Sequence, residues 1–470
     1  MNRSRPTHLR VAAAALVVAL LVPAGAGGLT ASPAEFEPGT IEEPADNATV
    51  VGIQGFHFEG RGAAKKPARL AAIDGNGTFA WQFGGDAIGS EWFYDVDPLP
   101  NGNLLVVSTN TGGTVVAELD PATREVVWTE RFDIHDTHDV DMLPNGDLVV
   151  ANMRNTVDGV SNDRIFVYNR STDETTWEWR FRDHFPNDTD GGFDDDWTHV
   201  NDVDVIDEHR LLVSPRNFDQ VLVVNRTTDE IEMRLGSDDD HDVLVEQHNP
   251  DWLVSEDGVP TILVADSGND RVVEYRRDCG DADPMKAPEE ACSWERTWTL
   301  GVDDGLTWPR DADRLPNGNT LVTDSLNHRV IEVTPDGEIV WEYYATWGPY
   351  DAERLGATNV SADWTGGSAR SPTMADAGYT GEYALSGSAN DPPVPSDVSG
   401  GPPAVLADFG FASFATTWRH VVPWVKPVWM TGWAFLSTAA ALCVVLVWGG
   451  VELYSARGRL AAALAAALSG

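Results

Sequence analysis

Between residues 45 and 350, short runs of apolar positions alternate with polar ones, and no stretch there carries the three-to-four spacing of an amphipathic helix. One run recurs: Asp95-Val-Asp-Pro-Leu-Pro-Asn-Gly-Asn-Leu-Leu-Val106, Asp139-Val-Asp-Met-Leu-Pro-Asn-Gly-Asp-Leu-Val-Val150 and Asp311-Ala-Asp-Arg-Leu-Pro-Asn-Gly-Asn-Thr-Leu-Val322. Degenerate copies fall at 202–213 and 249–264. Each copy predicts a strand, a turn and a second strand, because Asn-Gly is a strong hairpin signal whose two residues both tolerate positive φ. A second hairpin follows each, with Trp-rich outer strands, over 115–128, 165–179, 221–234, 272–298 and 330–341. A further unit precedes them, with its first strand over 50–58 and its later ones over 69–83. Six units of about four strands, at intervals of roughly 45–60 residues, predict an all-β fold, a six-bladed β-propeller over residues 45–350.

The flanks break this pattern. Arg3, Arg5 and Arg10 precede an apolar run from Val11 to Val22 and the small residues Ala24 to Gly28, so residues 1–30 read as a signal peptide or an N-terminal anchor. Residues 428–453 are almost wholly apolar, long enough for the roughly 20 residues a spanning helix needs. Trp424, Trp429 and Trp433 fall at one boundary and Trp448 and Tyr454 at the other, with Arg457 and Arg459 beyond. This predicts a transmembrane helix in the cell membrane, a cytoplasmic tail over 454–470 and a propeller on the extracellular side. Residues 356–403, rich in Gly, Ser, Pro and Asp, read as a flexible stalk, and 404–427 as an interfacial segment before the span.

Composition narrows the partners. Asp and Glu total 74 against 32 Lys and Arg, a formal charge of −42, which argues against nucleic acid. The acid is spread along a chain that is 42% apolar, as on the solvated surface of a folded protein in a high-salt habitat. In molar salt the Debye length is about 3 Å, which mutes such self-repulsion. An oxidising exterior makes Cys279 and Cys292, which flank a loop, a candidate disulfide.

The first strand of every propeller blade faces the axis, so residues just before each repeat core converge on one mouth of the central channel. Aligning the units superposes Tyr94, His138, Asn201, His248 and Arg310, with His199 two residues before Asn201 and Asn249 beside His248. Loops after the second strands bring Arg154 and Arg216, whose planar donors suit clusters of anionic oxygens. Arg310 reads equally as a brace to Asp311 or Asp313. The recurring Asp-x-Asp pairs read as structural groups beside a turn, with calcium binding as the alternative. The sequence assigns no cofactor; zinc and calcium stay open.

The strings Trp197-Thr-His199-Val-Asn201-Asp, Ser214-Pro-Arg216 and Gln247-His248-Asn249, with Thr137-His138-Asp139 upstream, resemble the arylsulfotransferase (aryl-sulfate sulfotransferase) family. The likeness spans roughly residues 50–345 and implies a six-bladed propeller. It also implies transfer of a sulfuryl group from a phenolic sulfate ester to a phenolic acceptor through a sulfohistidine. On it His248 is the nucleophile, and His138, His199, Asn201 and Arg216 hold the sulfate oxygens; Tyr94, Arg310 and Asn249 are substrate-binding candidates from their place at the mouth. The chain departs from bacterial periplasmic members in having no room for their extra N-terminal β-domain and in its C-terminal anchor.

Two other readings compete. His138, His199 and His248 also suit a three-His zinc site of a lyase or hydrolase; Asp266-Ser-Gly-Asn-Asp-Arg271 and Asp324-Ser-Leu-Asn-His-Arg329 resemble NHL-type propellers, some of which are zinc lyases. The third reading is a non-catalytic binding propeller at the cell surface.

Overall fold

The computed structural model describes residues 7–30, 36–55, 68–90, 92–110, 112–302, 305–356, 371–389 and 401–468. The chain divides into two units, residues 35–393 and a second formed by 1–34 with 394–470.

The first unit is a six-bladed β-propeller. Blade 2 runs Trp92–Pro98, Leu104–Asn110, Gly113–Asp120 and Glu125–Phe132, and blades 3, 4 and 5 repeat that order from inner strands Val140–Met142, Val200–Val205 and His248–Val254. Blade 6 starts at Pro309–Arg314 and gains an outer fifth strand, Phe36–Ile41, antiparallel to Ile339–Ala345. Blade 1 departs from expectation. Thr49–Ile53, expected as its first strand, is its second; the inner strand is Pro349–Arg354, supplied by the far end of the propeller. Both chain ends therefore close the ring.

The Leu-Pro-Asn-Gly turns carry a second correction. Only the glycine lies at positive φ (Gly102 86°, Gly146 84°, Gly318 89°); its N–H bonds the leucine carbonyl three residues back, while the Asn101 side chain accepts from Asn103 N–H. This is the type I turn with a left-handed closing glycine, in which Asn serves as a side-chain acceptor.

The apolar core is divided into six clusters, each sandwiched between neighbouring blades. The recurring fourth-strand tryptophans pack there and tie blades together. Trp179 donates to Asp229 O in blade 4 at 3.0 Å, and Trp298 to Pro335 O in blade 6 at 2.9 Å. Acids of the inner strands, most of them from the Asp-x-Asp pairs, do the same around the channel. Asp351 accepts from Val96 N–H (2.8 Å), Asp139 from Val203 (2.5 Å), Asp311 from Ala352 (3.2 Å), Asp141 from Val205 (2.7 Å) and Asp251 from Arg314 (3.3 Å), in each case reaching the next blade's inner strand.

Part of the expected stalk belongs to the propeller. Gly381–Tyr383 pairs in parallel with Trp298–Leu300, Ser386 bridges Glu338, and Met374 fills the core between blades 5 and 6. Apolar Met374, Tyr379, Tyr383 and Leu385, spaced through a polar segment, drive this docking. Met374 N–H also bonds Glu274, which forms a fully buried ion pair with Arg314 at 3.0 Å. Cys279 and Cys292 are disulfide-bonded in the outer hairpin of blade 5.

The second unit is helical: Thr7–Thr30, Pro402–Asp408, Ala412–Val425 and Gly432–Leu468. Leu9–Leu29 and Gly432–Arg457 are long and apolar enough to cross a membrane, the latter starting four residues later than the span read from hydropathy because residues 427–430 form a turn closed by Met430 N–H on Pro427 O. These two helices lie antiparallel. Arg10 Nη2 meets Glu452 Oε2 at 2.8 Å at one end, and at the other Gly27 and Gly28 abut Trp429 so closely that an added methyl would press on its ring.

Candidate active site

The inner strands deliver the predicted residues to the channel mouth by a shared irregularity. In four blades the ladder skips one residue of the inner strand: Tyr94, Asn201, Arg310 and, in blade 1, Tyr350. Such a bulge re-aims the extra side chain, so mouth residue and following acid can both face the axis. In blade 5 the skip falls just after His248, at Asn249 and Pro250. Backbone strain marks the same ring, since His199 and Asn249 sit at φ 39° and 34°.

Tyr350 is at the middle of the cluster. Its ring centroid lies 5.0 Å from Tyr94, 5.3 Å from His138 and 5.8 Å from His248, and the Arg310 guanidinium stacks over it at 4.7 Å. Tyr350 Oη and His138 Nδ1 are 2.8 Å apart, and His138 in turn lies 5.0 Å from His199, ring to ring. Trp308 flanks His248 at 6.2 Å. Arg310 donates to Gln54 at 2.7 Å, a partner from blade 1 outside both expected roles.

Two carboxylates organise one side. Asp136 accepts from Tyr94 Oη at 2.8 Å and meets Arg154 at 3.1 Å; Asp196 accepts from His199 Nδ1 at 2.8 Å and from Arg154 Nε at 2.9 Å. Arg216 is 4.0 Å from Asp196 and donates to Asn217 Oδ1 at 2.8 Å, which fixes its fork. Asn201 donates to Gln247 O at 2.8 Å while its own carbonyl oxygen is buried with no hydrogen-bond partner. Asn249 occupies the position that Asp95, Asp139, Asp202, Asp311 and Asp351 hold in the other blades, one residue down the strand from His248.

The hydrogen-bond inventory sets the tautomer of His248. Ser267 Oγ donates its single hydrogen to a carbonyl, Pro309 O at 2.6 Å being nearest, so toward His248 Nδ1, 2.8 Å away, it can only accept. Glu246 O, 3.0 Å from Nδ1, is likewise an acceptor. Nδ1 therefore carries the proton and Nε2 the lone pair. Burial, then the charges of Arg310 and Arg216, push the His248 pKa well below its ordinary value; burial and Arg216 do the same to His199. Burial also lowers His138, against the pull of Asp136. Burial opposes the charge on Asp136, yet His138, Arg154 and His199 hold its carboxyl well below the usual range. The result is a buried mouth with neutral imidazoles between two guanidiniums, a site for an oxyanion next to an unprotonated nitrogen.

The zinc reading finds no support in this geometry. The donor nitrogens of the three histidines do not form a group within 4.8 Å of one another; among the described residues only carboxylate triads do. The NHL-like segments close on themselves, Asp266 accepting from Asn269 (2.8 Å) and Arg271 (2.6 Å), and Asp324 from Asn327 (2.8 Å) and Arg329 (2.7 Å).

Tyr350, Asp136, Asp196, Ser267 and Gln54 were not expected. Tyr350 was legible: Tyr350-Asp-Ala-Glu353 repeats Tyr94-Asp-Val-Asp97, but no Pro-Asn-Gly turn follows to advertise the strand.

No curated protein matches the chain. Among solved structures, a protein of unknown function from Bacteroides caccae is 13% identical (64% of this chain, 93% of that one, TM-score 0.42) and a streptogramin B lyase 12% identical (66% and 87%, TM-score 0.38). The virginiamycin B lyase of Staphylococcus aureus is 9% identical (70% and 91%, TM-score 0.37), and likenesses this distant carry no argument about chemistry. Residues 47–250, which include Tyr94, His138, His199, Asn201, Arg216 and His248, match the family model described as Arylsulfotransferase (ASST).

Proposed function

We propose that the protein is an arylsulfotransferase-like enzyme that moves a sulfuryl group from a phenolic sulfate ester to a phenolic acceptor by way of a sulfohistidine at His248. The observation that carries this reading is the His248 ring, with its proton held on Nδ1 by Ser267 and Glu246 and its Nε2 left as a nucleophile beside Arg216 and Arg310. In the first step the Nε2 lone pair attacks sulfur; the S–N bond forms, the S–O(aryl) bond breaks, and its electron pair leaves with the phenolic oxygen. The guanidiniums and the Asn201 amide stabilise charge spreading over the three sulfuryl oxygens, as in phosphoryl transfer. His199 is held through Nδ1 by Asp196. With Nδ1–H held by Asp196, and burial and Arg216 opposing a second proton, its Nε2 stays free and the phenolate departs as the anion. In the second step the acceptor oxygen attacks sulfur, the S–N pair returns to His248, and the acceptor proton passes to His199.

Purified full-length protein given 4-nitrophenyl sulfate should release about one equivalent of 4-nitrophenol per chain without an acceptor, and turn over repeatedly only when a phenol is added. An acid-labile adduct should form on His248, and His248→Ala should abolish both. Folded wild-type protein that turns over no aryl sulfate with any acceptor refutes the proposal.

The same reading holds the propeller at the extracellular face by two spans, the N-terminal helix being retained as an anchor. The Arg10–Glu452 pair supports it, because it matches the helices end to end and removes two charges together. Intact mass of the membrane-extracted protein should include residues 1–30; a mature chain starting near residue 30 defeats this part.

A further inference from the structure

Around the channel, acids of the inner strands of blades 1, 3, 5 and 6 each bind an N–H of the following blade, and in blades 2 and 4 no such bond is made. Asp95 in blade 2 and Asp202 in blade 4 are both more than nine-tenths buried, and each has a carboxylate oxygen with no hydrogen-bond partner. For Asp202 the cause is in the sequence, since the position that supplies the N–H in the next blade is Pro250. A buried, unpaired carboxylate oxygen costs free energy that a fold does not retain without compensation.

The orphaned acids are not scattered. Asp95, Asp97 and Asp139 offer oxygens within 4.8 Å of one another, as do Asp139, Asp202 and Asp204, and the two triads share Asp139. Separations up to 4.8 Å are those between oxygens on opposite sides of an ion that takes its ligands at about 2.3–2.6 Å. We propose that the central channel holds a divalent cation, calcium by the chemistry of its donors, at the pair of carboxylate triads that share Asp139: Asp95–Asp97–Asp139 and Asp139–Asp202–Asp204.

The donors are all hard oxygens, without nitrogen or sulfur, which favours calcium or magnesium over zinc and copper. Calcium accepts irregular cages of six to eight oxygens, whereas magnesium requires a near-ideal octahedron and keeps waters. Three carboxylates per triad, carried on neighbouring twisted strands, form an irregular partial cage that leaves room for water. Asp95, Asp139 and Asp202 are the chain neighbours of Tyr94, His138 and Asn201. The cation thus ties together the strands that present half of the mouth. Nothing in this inference depends on which group the mouth transfers.

The test is equilibrium dialysis of chelator-stripped, full-length protein against radioactive calcium in molar potassium chloride, which screens weak binding to the acidic surface. Wild type should hold at least one calcium per chain, with the thermal midpoint raised by its addition. Asp202→Asn and Asp95→Asn should each weaken binding at least tenfold and lose the thermal response. Asp281→Asn, in an exposed loop, should behave as wild type. Folded wild type with no calcium above background overturns the proposal whatever the variants do, as do folded Asp202→Asn and Asp95→Asn proteins that bind like wild type. Preference for magnesium or a transition metal overturns the assignment to calcium.

Discussion

Replacing Ser267 with Ala tests whether His248 is held for chemistry. The hydroxyl does two things: it accepts from Nδ1 at 2.8 Å and donates to Pro309 O at 2.6 Å. Removing it leaves Nδ1–H with Glu246 O at 3.0 Å, so the tautomer that exposes Nε2 survives but loses one of two acceptors. A neutral hydrogen bond contributes about 0.5–1.5 kcal/mol, which corresponds to roughly a 2- to 12-fold fall in the rate of sulfuryl transfer from 4-nitrophenyl sulfate. The orphaned Pro309 carbonyl adds a separate stability loss of about 1–3 kcal/mol, read by denaturant unfolding. Single-turnover release of 4-nitrophenol, at temperatures where both proteins are fully folded, keeps the two effects apart. An unchanged rate with the expected stability loss would mean that Ser267 does not orient the imidazole. A loss beyond about a hundredfold would mean that the hydroxyl touches the reacting atoms, contrary to the assignment of its hydrogen to a backbone carbonyl.

Because burial and the two guanidiniums depress the His248 pKa, its lone pair persists to lower pH than that of a free imidazole. Formation of the sulfo-enzyme should therefore keep its neutral rate as pH falls through 6.5, and an acid limb centred at or above that value contradicts the electrostatics. Arg314→Met leaves Glu274 buried without its cation and should cost about 3–5 kcal/mol in denaturant unfolding. Burial shifts both partners toward their neutral forms, so the double variant with Glu274→Gln should recover more than half of that; a double variant no better than the single one is inconsistent with a desolvation-dominated pair.

The parts of this molecule that could be read from its sequence are those that repeat. Five of six inner strands announced themselves through an acid pair and a Leu-Pro-Asn-Gly turn or its remnant, and with them came Tyr94, His138, Asn201, His248 and Arg310. The sixth, Pro349–Arg354, has the acids without the turn, because the chain leaves the ring there instead of turning back. Asp136 and Asp196 lie in irregular loops whose acids look like solvated charge until the fold brings Arg154 between them. Residues 371–389 show why composition misleads: a Gly- and Ser-rich segment with four well-spaced apolar side chains is enough to dock on a preformed sheet edge.

Closing the ring with residues from both ends also sets when the protein can become stable. Thr49–Ile53 must wait for a strand that emerges about 300 residues later, so until then one blade presents an unpaired inner edge, the kind of surface on which chains join to one another. Synthesis in vivo must carry five nearly complete blades through this open state. Once Pro349–Arg354 pairs with Thr49–Ile53, that inner edge is covered and every blade has a neighbour on each side.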